Sequence, residues 1–171
     1  MVFGNSIARQ SQPSYSTAGQ VIAYACYWWA MGFAGWPFRF VRTGAKRQIG
    51  ADSNSQLSYG VYGYGGANSV TLQPYFDSVI VPNAPQYCFM QVMENDVVAI
   101  AAGTVTRAQV IAAYAAMIAS AKTAGIRLIW TGCLPSLSYD NTTGVSASLH
   151  STEYWALTEY IEGIAAININ N

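Results

Sequence analysis

The sequence predicts a three-layer α/β domain with a mostly parallel central sheet, and three observations carry that expectation. Apolar, uncharged runs of strand length alternate with segments of helical period along the chain. The strand run Tyr87-Cys88-Phe89-Met90-Gln91-Val92-Met93 is almost continuously apolar, as a strand covered on both faces must be. Residues 106–124 combine a Thr start, helical spacing of apolar residues and a Gly stop, which an all-β jelly roll would not contain. With 171 residues the chain has the size of one fully cored domain, so 1–171 is read as a single domain.

Taken in order, Val2-Phe3 starts a short first strand that meets Gly4-Asn5-Ser6 and a polar loop over 9–16. Ser16 or Thr17 caps a helix over 20–33, in which Val21, Ala25, Trp28 and Trp29 recur at helical spacing before Gly32, Gly35 and Pro37 end it. Phe38 to Arg42 alternates like a short strand, and Gly44 to Ser55 reads as an exposed loop holding Lys46 and Arg47. Leu57 to Tyr64 alternates as a strand running into the Gly65-Gly66 turn. A short helix follows over 69–79 in spite of Pro74, then the 87–93 strand, which ends in the polar Glu94-Asn95-Asp96.

Thr104 or Thr106 opens the next helix, with Val110, Ala113, Tyr114, Met117, Ile118 and Ala121 on one face and Gly125 as its stop. Ile126 to Trp130 is another buried strand, ending at Thr131-Gly132 and Pro135, and Ser136 to Ser148 is a loop. A last helix over 153–165 places Tyr154, Leu157, Ile161 and Ile164 on one side, leaving Ile167 to Asn171 as a tail or an edge strand. No internal repeat or linker interrupts this order.

Composition excludes several function classes. Lys and Arg number 8 and Asp and Glu number 8, so there is no positive field to capture nucleic acid or an anionic membrane. Charged residues are 9% of the chain, far below the roughly 25% of ordinary soluble domains, so Tyr, Ser, Thr, Asn, Gln and Gly must cover much of the surface. That neutral, Tyr-rich surface favours an extracellular or assembly-associated setting. The longest uncharged apolar stretch, Val21 to Trp36, is shorter than the roughly 20 residues a membrane span needs. Met1-Val2-Phe3 leads straight into Gly4 without the pattern of a signal peptide. Cys26, Cys88 and Cys133 each lie in apolar runs and read as small buried hydrophobes. One histidine and no metal-like cysteine spacing give no metal site, and no cofactor is implied.

Ligands of an open parallel sheet bind beyond the carboxyl ends of its strands. Those ends carry Gly4-Asn5-Ser6, Gly63-Tyr64-Gly65-Gly66, Glu94-Asn95-Asp96 and the segment from Thr131 to Pro135, while His150 stands just before the last helix. A serine can be a nucleophile where an imidazole accepts its proton, and glycine N–H groups with an Asn amide can hold the oxyanion that develops. Each residue also has a plainer role: Ser6 as a helix cap, Gly63 and Gly66 as turn formers, Asn95-Asp96 as an Asx turn, and His150 as a partly buried residue.

The order of these pieces resembles the SGNH hydrolase family, the GDSL-type esterases. Gly4-Asn5-Ser6 is similar to the first block, with Asn in place of Asp. Tyr62-Gly63-Tyr64-Gly65-Gly66 is similar to the second, Met93-Glu94-Asn95-Asp96 to the third with Met in place of Gly, and Ala147-Ser148-Leu149-His150 to the fourth with Ala in place of Asp. The resemblance runs from residue 2 to 165. It implies an SGNH-hydrolase-like, flavodoxin-like fold with Ser6 as nucleophile, His150 as base, and an oxyanion hole from the Ser6 N–H, the Gly66 N–H and the Asn95 side chain. With the acid position empty, Asp140, in the loop before the fourth block, is the candidate orienting acid for His150, and Glu153, in the first turn of the following helix, is the other carboxylate within reach of that role. Asp96 reads as a loop stabiliser, and Arg39, Arg42, Lys46 and Arg47 as a solvated basic group.

The expected activity is hydrolysis of a small-molecule or glycan ester, O-acetyl and carbohydrate-linked, through an acyl-enzyme. The alternative is a catalytically weakened SGNH fold serving as a glycan-binding or structural module, which Ala147 favours.

Overall fold

A computed structural model describes residues 1–4, 47–48, 55–58, 61–130 and 147–169; for 47–48, 55–58, 61, 147–151 and 164–169 it is the backbone that is described. The first strand, β1 (Val2–Gly4), is three residues long, and Val2 and Phe3 are completely buried. Full burial of a side chain of this kind contributes about 1.5–3 kcal/mol, so even a very short strand is firmly anchored. The others are β2 (Arg47–Gln48), β3 (Ser55–Ser58), β4 (Val61–Tyr64), β5 (Tyr87–Gln91) and β6 (Arg127–Trp130). Among the described residues they form one sheet in the order β2-β3-β4-β1-β5-β6. The four strands β4, β1, β5 and β6 run parallel, and β2 and β3 extend the β4 edge in antiparallel fashion.

The expected parallel core is therefore present, with corrections at its edge. The single strand expected over 57–64 is two strands, with Ser58 opposite Val61. Alternation of side chains persists through a reversal of chain direction, so periodicity alone could not detect it; Gly60 was the available signal. Arg47-Gln48, read as part of a loop, is a strand paired to β3. β6 is only partly covered, with Arg127 exposed, because no described strand lies beyond it. The helix expected over 20–33 and the strand over 38–42 lie outside the described residues, and so does the 131–146 loop.

The helix α1 (Ser69–Tyr75) begins at Asn68, whose Oδ1 accepts the Thr71 N–H at 3.0 Å. Pro74 lies inside it and cannot donate to the preceding turn, and the chain widens into a π turn over Phe76–Ile80 before a last short turn, Val81–Asn83. A helix that the sequence reading lacked, α2 (Glu94–Ala101), starts directly after β5. Glu94 and Asp96 in its first turn complement the helix dipole, so these polar residues start a helix as well as end the strand. Among the described residues the longest crossover helix, α3 (Arg107–Thr123), matches its expectation. Thr106 and Gln109 form a reciprocal capping box, and Gly125 ends it at φ +69°.

The last helix, α4 (Ala147–Ile169), is longer than expected at both ends, so Ile167 to Ile169 is helical and not a loose tail or edge strand. None of the described helices is long and apolar enough to cross a membrane.

The core gathers Phe3 from β1, Tyr62 from β4, Met90 from β5, Leu72 and Phe76 from the α1 region, Tyr114 and Met117 from α3, and Leu157 from α4. Phe3 stacks on Tyr62 and meets Phe76 edge-on, both with centroids 5.3 Å apart. The crossovers from β4 to β5 and from β5 to β6 move the same way along the sheet; if both have the usual right-handed sense, α1 and α3 share a face, and they do pack together. Cys88 is fully buried in β5, as expected, and burial pushes its thiol pKa up to about 12. Cys26 and Cys133 lie outside the described residues.

Candidate active site

The site is organised by the level carboxyl ends of three parallel strands. Gly4 at the end of β1 is opposite Gly63 of β4 on one side and Gln91 of β5 on the other. A Cβ on Gly4 would overlap the Gln91 carbonyl, so close pairing of β1 with β5 admits only glycine at the first position of the Gly4-Asn5-Ser6 block. Ser6 itself, two residues further on, lies outside the described residues.

After β4 the chain turns at Gly65-Gly66, with the Ala67 N–H donating to the Tyr64 carbonyl at 3.3 Å. Gly66 has φ +78°, a conformation that favours glycine, and there is open space where a side chain would lie. No hydrogen bond among the described residues takes up its N–H. The following residues are tightly held: Ala67 and Ser69 are buried, and Asn68 caps α1.

After β5, Met93 has φ +102° and acts as the residue before α2; its carbonyl accepts the Val97 N–H at 3.0 Å. This is where the SGNH pattern has glycine. Methionine thus occupies a backbone conformation that L side chains rarely adopt, while its side chain is buried in the core and accepts a hydrogen bond from Thr158 Oγ1 at 3.8 Å. Asn95, the second residue of α2, is half-buried, and its Nδ2 donates to the Ala67 carbonyl at 2.9 Å. That bond joins the third block to the second. An amide nitrogen carries two hydrogens, so Asn95 retains donor capacity beyond this bond.

Asp96 is completely buried. Its carboxylate accepts from the Ser69 N–H at 2.5 Å, the Ser69 hydroxyl at 2.7 Å and the Tyr114 hydroxyl at 2.7 Å. Burial raises its pKa above the ordinary value, and the hydrogen bonds from Ser69, Tyr114 and the Met93 backbone pull the other way without cancelling the effect. Beside it, Gln91 Nε2 donates to the buried Glu94 carboxylate at 2.7 Å.

His150 is the fourth residue of α4 and not, as expected, a residue preceding the helix; its side chain lies outside the described residues. Ala147, at the acid position, is the first residue of the same helix. Glu153 falls in the second turn, where its carboxylate receives Arg107 Nε and Nη2, each at 2.7 Å. That two-pronged pair commits Glu153 to joining α4 to the start of α3, and its hydrogen bonds hold Arg107 more firmly protonated. Asp140 lies outside the described residues. The structure thus brings Gly66 and Asn95 into one neighbourhood. It also shows that Asp96, expected as a loop stabiliser, is a buried link to Ser69 and Tyr114, partners too distant in the chain for local pattern to indicate. Among the described residues, no group of three or more His, Cys, Asp or Glu side chains is placed to hold a metal ion.

No family model matches the chain, and no curated protein matches it. Among solved structures, it resembles that of a Bacteroides fragilis protein described as a "putative acylhydrolase", with a TM-score of 0.56 and 16% sequence identity. The alignment covers 96% of this chain and 62% of that one, so the chain spans less than two thirds of the protein it matches. At this identity the likeness is one of fold: an α/β domain with a parallel sheet core and helices packed on it, of the architecture seen in that protein.

Proposed function

We propose that the chain is a serine ester hydrolase of the SGNH type, with Ser6 as nucleophile and His150 as general base. The observation that carries this reading is the Asn95–Ala67 hydrogen bond, which draws the third-block amide onto the segment that follows the Gly66 turn. The likeness in fold to a protein described as an acylhydrolase supports it as well. In the proposed reaction His150 removes the Ser6 proton, the Ser6 oxygen attacks the ester carbonyl, and the protonated His150 passes that proton to the departing alcohol, leaving an acyl-enzyme and a neutral imidazole. Water, deprotonated by His150, then attacks the acyl carbonyl, and the proton returns from His150 to the Ser6 oxygen as the Ser6–acyl bond breaks and the acid leaves. The N–H groups of Ser6 and Gly66 and the Asn95 amide hold the oxyanion, and they accelerate the step because that charge exists only in the transition state. The substrate class is an O-acetyl ester, carried by a carbohydrate.

A second reading, a catalytically weakened fold that binds glycans or serves in an assembly, is favoured by a separate observation. The fourth-block acid is absent, and the nearby Glu153 is already engaged by Arg107.

A fluorophosphonate probe and a short-chain aryl ester separate the two. The esterase reading expects covalent labelling of the peptide containing Ser6, ester hydrolysis by the native protein, and loss of both in Ser6→Ala. Equal rates in the two proteins would remove Ser6 as nucleophile, and no labelling or hydrolysis in either would favour the binding module.

A further inference from the structure

We propose that Asp96 is a positioning residue that holds the Gly66 and Asn95 donors in one arrangement, an inference that rests on the esterase reading of the site. Asn95 and Asp96 are neighbours in the first turn of α2 and grip the same short segment at two points. Asn95 takes the Ala67 carbonyl at 2.9 Å, and Asp96 takes both the N–H and the hydroxyl of Ser69. Between strand β4 and these two grips lies Gly66, which has open space where a side chain would lie and no hydrogen bond of its own among the described residues to set its direction. Its N–H is therefore aimed by what holds residues 67–69.

The third partner is what makes Asp96 more than a link between two loops. The Tyr114 hydroxyl reaches it from α3 at 2.7 Å, and Asp96, Ser69 and Tyr114 are all fully buried. One carboxylate thus ties the start of α1, the start of α2 and the middle of α3 together behind the proposed oxyanion hole. A buried network of this kind admits few alternative arrangements, because any donor that let go would be left unpaired. Asp96 touches no substrate in this scheme; it acts through Gly66 and Asn95.

Asp96→Asn tests the proposal, because it keeps the size of the side chain but presents an NH2 group to donors that need an acceptor. On a short-chain aryl ester, kcat should fall about 10- to 100-fold, the size of effect expected when groups are misplaced without being lost. KM should change less than about threefold, since ground-state binding is not touched. In the same variant the amide signal of Gly66 and the side-chain amide signals of Asn95 should move in ¹H–¹⁵N spectra, while those of Lys122 and Gly125, at the far end of α3, stay in place. Tyr114→Phe and Ser69→Ala each delete one donor to Asp96 and carry the same test, with smaller changes, if Asp96→Asn does not fold. A folded variant with native kcat, or with unmoved Gly66 and Asn95 signals, would overturn the proposal. If the native protein hydrolyses no ester, the esterase reading falls, and the positioning of residues 66–69 by Asp96 stands or falls on the amide signals alone.

Discussion

Gly4 of β1 lies against the Gln91 carbonyl of β5 with no room for a side chain between them. Gly4→Ala should therefore separate the two strands at the carboxyl end of the sheet, where the proposed site is built. The cost is expected to be about 3 kcal/mol or more, at the upper end for overpacked positions. Urea unfolding of the variant measures it, and a loss below about 1 kcal/mol would show that β1 and β5 can move apart easily.

Asn95 has two tasks in the proposed mechanism: it holds Ala67 and donates to the oxyanion. Asn95→Ala should lower kcat by about 10²- to 10³-fold, the usual effect of removing one such donor. Steady-state kinetics on an aryl ester check this. A change confined to KM would mean that Asn95 binds substrate in the ground state and does not stabilise the transition state.

Met93 sets backbone conformation against packing. Its positive φ costs about 1–3 kcal/mol, whereas truncating its buried side chain costs about 2–5 kcal/mol. Packing wins, so Met93→Gly should be less stable than the native protein. Met93→Ala loses the same side chain without gaining relief at φ, and should be less stable than Met93→Gly by about 1 kcal/mol. This inverts the usual order of Ala and Gly, and chemical denaturation of the two variants gives the difference directly.

Asp96 should make stability depend on pH in a direction opposite to that of most carboxylates. Burial raises its folded-state pKa above 3.8, so between 3.8 and that higher value the native state binds more proton than the unfolded state. The stability it contributes is fully present below 3.8 and is lost as pH rises through the folded value. The ¹³C signal of the Asp96 carboxyl should titrate above 3.8. Subtracting the pH profile of Asp96→Asn from that of the native protein should leave a difference that declines with rising pH across the same window. A carboxyl that titrates at or below its ordinary value would show that the hydrogen bonds from Ser69 and Tyr114 outweigh desolvation.

Much of the sheet core was readable because its signals are local. The continuous apolar run of β5 and the cap and stop of α3 at Thr106 and Gly125 are each contained in a few adjacent residues. The β3–β4 reversal and the start of α2 were not, since alternation is blind to direction and three polar residues can end a strand or begin a helix. For the site, the resemblance of the ordered blocks to the SGNH pattern is what nominates Ser6, Gly66, Asn95 and His150. It also left Ala147 conspicuous, in a chain with 8 acidic residues in all.

By itself the sequence determined the helix-and-strand alternation, the glycine and asparagine blocks at strand ends, and the scarcity of charge. Tertiary structure alone decided that Asn95 meets Ala67, that Asp96 meets Ser69 and Tyr114, and that Glu153 is bound by Arg107. The physical reason is range. Propensity, capping and periodicity act within a turn or two of the chain, whereas these pairings join residues 18 to 46 positions apart, and parallel strand order and helix packing bring them together.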